Sequence, residues 1–181
     1  MSLREHIHLV EAASKLEPIK ISPLPYKTKD LEPAMSEHSV DVHYNTLTKN
    51  YFKKYKATGN LFQKAGALLH NDFFWPLLKP YSKNNKPSAD LMRKINAAHK
   101  SLDLFKKSVV ESALSIQGNG WVLIMEDLQI QTIQNHVLKP GIAMAIDLWE
   151  HTTVDYDFNR EKFFQEFWNV VNWDKLETLL K

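Results

Sequence analysis

The chain contains no cysteine, which excludes a disulfide framework and any thiolate metal site and leaves His, Asp, Glu and Asn as the available ligands. It also lacks an apolar run long enough to span a membrane, so no membrane insertion is expected. Strong charge of one sign is missing too. Lys and Arg total 23 against 21 Asp and Glu, a formal net charge of +2, too small to imply nucleic-acid binding by itself. Residues 1–22 mix Arg4, Lys15 and Lys20 with Glu5, Glu11 and Glu17, and so have neither a secretory apolar core nor the acid-poor character of a transit peptide.

What is present is ordinary for a soluble globular protein: 44% hydrophobic and 24% charged residues over 181 positions, enough for one domain or two small lobes sharing a core. Residues 1–22 read as an extension with a short helix around Leu9 to Leu16. Pro23, Pro25 and Pro33 punctuate an extended stretch. Ser36 or Ser39 caps a helix running to about Lys56, and Thr58-Gly59-Asn60 ends it. A second helix from Leu61 to Phe74 forms a hairpin with the first, closed by Pro76 and Pro80. Ser88 caps a third helix from Ala89 to Ser115. Beyond Gly118-Asn119-Gly120, Trp121 to Met125 and Leu128 to Ile133 read as strands turned at Glu126-Asp127, and Ile142 to Ile146 as a third. Helices from Arg160 to Val171 and Asp174 to Leu180 close the chain. The expected class is α+β, with a helical-hairpin domain at 23–82 and an α/β domain with a small three-stranded antiparallel sheet at 87–181.

Two stretches carry chemistry. In Asp147-Leu148-Trp149-Glu150-His151 a carboxylate at the end of a buried strand precedes an imidazole by four positions, and a buried carboxylate needs a partner or a metal. On the first helix His43, Leu47 and Tyr51 share one face, while Lys49, Lys53, Lys54 and Lys56 form a basic side able to contact RNA or a protein partner.

With these residues in view, the chain resembles the iron/manganese superoxide dismutases. The resemblance rests on Leu24-Pro25-Tyr26, Leu31-Glu32-Pro33, Val42-His43, Phe73-Phe74-Trp75, Gly118-Asn119-Gly120-Trp121, Asp147 to His151 and Phe167 to Trp173, in that order over about 23–176. It implies that His43, Asp147 and His151 are three of four protein ligands to Fe or Mn. Tyr51 and Trp121 would line the funnel to the metal, and Glu150 with His151 would form the dimer interface.

Departures from the family pattern shape the functional expectation. Counting back from Trp75 puts Asn71 on the fourth ligand position and turns His70 about 100° away, unless a one-residue bulge brings His70 inward. Position 47, where the family has an interface histidine, is Leu, and Thr152-Thr153-Val154 replaces its tyrosine pair. Position 67, where iron enzymes hold a glutamine that bonds the solvent at the metal, is Ala; Gln134, Asn135 or His136 are the candidates to replace it. Read this way, the resemblance implies a damaged metal site, no bound metal, and a structural rather than enzymatic role. The expected setting is a mitochondrial assembly, foremost the small ribosomal subunit, as a homodimer or as a heterodimer with another dismutase-like chain in contact with rRNA and ribosomal proteins. The alternative is an active Fe/Mn superoxide dismutase with Tyr51 as its catalytic proton relay.

Overall fold

Capping side chains set where the helices of the N-terminal half begin. The Ser36 hydroxyl accepts the Ser39 N–H at 3.1 Å, and the helix it opens, α1, runs over residues 37–58 in three parts: regular turns at Glu37–Asp41, a π-helical segment at Val42–Thr48, and regular turns again at Lys49–Thr58. Gly59 stops it with a left-handed φ of 66°, its N–H bonded to the Tyr55 carbonyl, a conformation open to glycine at little cost. Asn60 then caps α2 through the N–H groups of Phe62 and Gln63. Helix α2 covers residues 61–74, regular over Leu61–Leu68 and π-helical over Leu69–Phe74, and folds back on α1 as a hairpin. These features belong to a computed structural model that describes residues 18–181; the short helix expected at Leu9 to Leu16 lies outside them.

The single helix expected from Ala89 to Ser115 is two: α3 at Ala89–His99 and α4 at Leu102–Ser115. Lys100 breaks the run with a φ of 71°, and the Ser101 side chain caps α4 by accepting the Leu104 N–H. The apolar periodicity runs through the break, because both helices bury residues in the same core; the Ser101 cap and the following Asp103 were the local signal for a new start.

Strands β1 (Gly120–Met125), β2 (Ile130–Gln134) and β3 (Ile142–Asp147) form an antiparallel sheet in the order β2-β1-β3. Every residue of β1 and β3 is buried, which is why both read as unbroken apolar runs rather than alternating ones. Helix α4 packs on β1 and β2, and β3 lies against the π segment of α2. The register sets Trp121 of β1 opposite Asp147 at the end of β3, so the last residue of the strand meets the helical hairpin.

Three short helices complete the chain: α5 at Glu150–Thr153, α6 at Arg160–Phe167 and α7 at Trp173–Thr178. Helix α6 stops earlier than the expected Val171, because Val171 bridges to Leu78 and the Val170 carbonyl accepts the Lys79 N–H. That pairing joins the hairpin to the C-terminal end. The α+β architecture is as expected: helices first, then an α/β domain around a three-stranded antiparallel sheet.

Candidate metal centre

Two π-helical segments, one strand end and the short helix α5 deliver four side chains to one point. His43 comes from the π segment of α1, His70 from that of α2, Asp147 from the end of β3 and His151 from α5. Their donor atoms all lie within 4.8 Å of one another. Asp147 Oδ2 is the hub, at 3.1 Å from His43 Nε2, 3.1 Å from His70 Nε2 and 3.3 Å from His151 Nε2. The two Nε2 atoms of His43 and His70 are 2.9 Å apart. His43, His70 and Asp147 have no exposed side-chain surface, and His151 is partly open. The other carboxylate oxygen, Oδ1, accepts the Trp149 N–H, which fixes the carboxylate plane.

His70, not Asn71, occupies the fourth corner. Counting back from Trp75 in regular helical steps assigns that corner to Asn71, but residues 69–74 form wide turns that accommodate one extra residue, the one-residue bulge described above. The extra residue rotates His70 into the cluster and carries Asn71 out of it. The Asn71 Oδ1 instead accepts the backbone N–H of Ser22 at 2.7 Å. With His70 inward, the residue one turn before it is Gly66 rather than Ala67.

The proton positions follow from the partners. The Gly66 carbonyl accepts from His70 Nδ1 at 2.6 Å, so in the neutral ring Nε2 holds a lone pair. That lone pair faces the Asp147 carboxylate at 3.1 Å. Two buried acceptors at this distance repel, and a cation between them would remove the repulsion. The donor set of three imidazoles and one carboxylate suits iron or manganese, and the residues present therefore fit the metal.

Burial pushes the His43 imidazole down to about 3, with the neighbouring His151 adding to the effect against the opposing pull of Asp147. His43 is thus neutral at physiological pH, the state a ligand requires. For Asp147 burial opposes ionisation, but attraction to His151 and hydrogen bonding with His151 and His43 outweigh it and hold the carboxyl well below its usual range.

A second ring of aromatic groups surrounds the cluster. Tyr51 stacks on His70 with ring centroids 5.4 Å apart, and burial, helped by Asp147, raises its phenol to about 12. Of the three sheet-side candidates, Gln134 and Asn135 are exposed and His136 is buried. His136 is wedged between Tyr51, Phe62 and Trp149. An indole can only donate, so the Trp121 Nε1–H bond to His136 Nδ1 at 3.1 Å leaves the proton of the neutral ring on Nε2. That nitrogen is buried and has no partner. Gly66 makes the arrangement possible: a Cβ there would lie 2.9 Å from His136 Cδ2 and 2.9 Å from Tyr51 Cδ1.

Other expected site residues stand apart from the cluster. Glu150 is exposed at the start of α5, beside His151. Lys49, Lys53, Lys54 and Lys56 are exposed on α1, with Lys49 donating to Asn45 Oδ1 and lying over the Tyr44 ring. Leu47 is half-buried, while Thr152 and Thr153 are buried.

A helical hairpin followed by an α/β domain, with a His-His-Asp-His cluster able to hold a metal ion between them, defines the class, and sequence comparison gives the family. The profile of the C-terminal domain of iron/manganese superoxide dismutases matches residues 87–179. The chain is 32% identical to an iron superoxide dismutase of Saccharolobus solfataricus, over 90% of this chain and 93% of that protein. It is 29% identical to a mitochondrial manganese superoxide dismutase of Schizosaccharomyces pombe, over 87% of this chain and 85% of that protein. The chain belongs to the iron/manganese superoxide dismutase family. Among the described residues no helix is long and apolar enough to cross a membrane.

Proposed function

We propose that this chain is a working superoxide dismutase that holds Fe or Mn through His43, His70, Asp147 and His151. The observation that carries the reading is the convergence of these four side chains, with all donors within 4.8 Å and three of the residues buried. The expectation of a structural subunit rested on a fourth corner filled by Asn71 and on Leu47 and Thr152-Thr153-Val154 in place of the family's interface histidine and tyrosine pair; with His70 in that corner the first of these grounds is gone.

The metal, when bound, would supply one-electron chemistry, by which two superoxide ions and two protons become dioxygen and hydrogen peroxide. The chain supplies the rest. Asp147 neutralises cationic charge, and the three imidazoles contribute neutral nitrogen donors. Tyr51, kept protonated by its burial, is a proton donor beside His70. The His136 Nε2–H, buried and unpartnered, is available to hydrogen-bond an oxygen-containing ligand in the pocket, the task for which a glutamine was sought at position 67. Trp121 fixes that tautomer. Glu150, exposed beside the ligand His151, is positioned to join a second copy of the chain.

Elemental analysis of the purified protein with a superoxide-consumption assay tests the reading. Near-stoichiometric Fe or Mn, with turnover abolished by His43→Ala, is the expected result. A protein that takes up neither metal and has no turnover would overturn it and restore the structural-subunit reading.

A further inference from the structure

The backbone of Ser22 is held at both ends by residues that directly follow two members of the metal cluster. Its N–H donates to Asn71 Oδ1 at 2.7 Å, and its carbonyl accepts the Tyr44 hydroxyl at 2.7 Å. Asn71 follows His70 and Tyr44 follows His43. A residue of the leading segment, 22 positions from Tyr44 and 49 from Asn71, therefore bridges the two helices beside the histidine pair.

The bridge lies where the helices are least regular. His43 sits in the π segment Val42–Thr48 and His70 in the π segment Leu69–Phe74, and wide turns are uncommon in helices and frequent at functional sites. A second cross-link joins the first of these segments to the residue that ends the second: Trp75 Nε1–H donates to Thr48 Oγ1 at 3.0 Å, and Thr48 Oγ1–H donates to the His43 carbonyl at 2.9 Å. The Trp75–Thr48 link is between a side chain of α1 and that of the residue directly following α2. The Ser22 link enlists a third piece of chain, and it depends on the extra residue that carried Asn71 out of the cluster.

We propose that the Ser22 peptide is a staple that sets the spacing of His43 and His70, with Asn71 and Tyr44 as positioning residues for the metal centre; this rests on the metal-centre reading above. The extra residue in α2 then has two consequences from one rotation. It turns His70 inward as a donor and turns Asn71 outward as an anchor. Groups that orient ligands from outside the coordination shell commonly change metal affinity by one to two orders of magnitude, and Asn71 and Tyr44 act through the backbone that carries the ligands.

The test uses full-length protein loaded with Mn(II), with transfer of the metal to excess EDTA followed in time. Asn71→Ala and Tyr44→Phe are each expected to speed release about tenfold. Ser22→Pro deletes the N–H donor while also fixing φ at residue 22; it should release metal at least as fast as Asn71→Ala, and adding Asn71→Ala to it should change nothing further, because both remove one bond. Tyr81→Phe removes a hydroxyl bonded to Glu166 and Asn169, neither of them a cluster residue, and should leave release within twofold of the wild type at a comparable loss of stability. The staple is overturned if Asn71→Ala and Tyr44→Phe release metal at the wild-type rate, or if Tyr81→Phe is as fast as they are. A wild-type chain that retains no Mn or Fe would overturn the metal-centre reading and the staple together.

Discussion

The Gly66 carbonyl lies 2.6 Å from His70 Nδ1, and that one bond decides which nitrogen of His70 is left for the cluster. A helical carbonyl one turn back would ordinarily serve the backbone ladder; here it also orients an imidazole and fixes its tautomer. This is the role that outer groups play in holding ligand histidines.

His70 and Asn71 can be distinguished directly. His70→Ala removes one of four donors and leaves the His43–Asp147 contact with a gap beside it, so loss of stoichiometric Fe or Mn from the purified protein is expected. Asn71→Ala removes no donor and should still yield metal-containing protein, even if the ion leaves faster. Metal content by mass spectrometry compares the two, and retention by His70→Ala with loss in Asn71→Ala would reverse the assignment of the corner.

Gly66→Ala should be harmful, against the usual trend. In a helix interior the change normally stabilises by about 1 kcal/mol, but here the new methyl would press on Tyr51 and His136 at 2.9 Å. His136 has little room to move, being held by Trp121 and stacked on Trp149, and overpacking of this kind costs about 1–3 kcal/mol. A net loss of about 1 kcal/mol in the unfolding free energy from urea denaturation, with reduced turnover, is expected. An increase in stability with unchanged turnover would show that the glycine is not needed for the fit.

Much of this was legible in the sequence. The caps at Ser36, Ser88 and Gly59, the apolar strands and the Asp147 to His151 stretch are local signals, and they place the hairpin, the sheet and two members of the cluster, while His43 as a third followed from the resemblance to the dismutase family. The fourth was not legible, because a helix is read with a fixed step of 100° per residue, and the π segment at Leu69–Phe74 changes that step by its hydrogen bonding rather than by its composition. His70-Asn71 contained the necessary histidine, and only the phase was wrong. Long-range partners such as Ser22 and Asn71 have no sequence signature, since nothing in either residue names the other.

His136 offers a test that separates proton donation from packing. His136→Gln keeps a donor of similar reach and should retain a substantial part of the turnover, whereas His136→Leu fills the space without a donor and should lower it by about ten- to a hundredfold, the usual scale for one positioned proton-transfer or hydrogen-bonding group. Trp121→Phe removes the indole that holds the proton on Nε2 and should fall between them. Steady-state superoxide consumption at matched metal content measures all three. Equal turnover in the Gln and Leu variants would reduce His136 to a packing residue.

The metal-free chain should be acid-sensitive in a defined window. Burial pushes His43 down to about 3 and His136 to about 4, whereas both rings return to about 6.5 on unfolding. Below pH 6.5 the unfolded chain therefore binds protons that the folded chain refuses, and stability falls as the pH is lowered from about 6.5 towards 4 and below. Above that range these two rings are neutral in both states and contribute no slope. Asp147, held well below the ordinary carboxylate range, adds a further loss only as the pH drops through the unfolded carboxylate value of about 3.9. Each excluded proton contributes up to about 1.4 kcal/mol per pH unit. Urea unfolding of the metal-free protein between pH 8 and pH 4 should thus give a flat region followed by a decline, shallower in His136→Gln by up to one proton's worth of slope. A wild-type profile that stays flat to pH 4.5 would mean that the buried histidines accept protons without loss, and that the cluster opens to water far more readily than its packing implies.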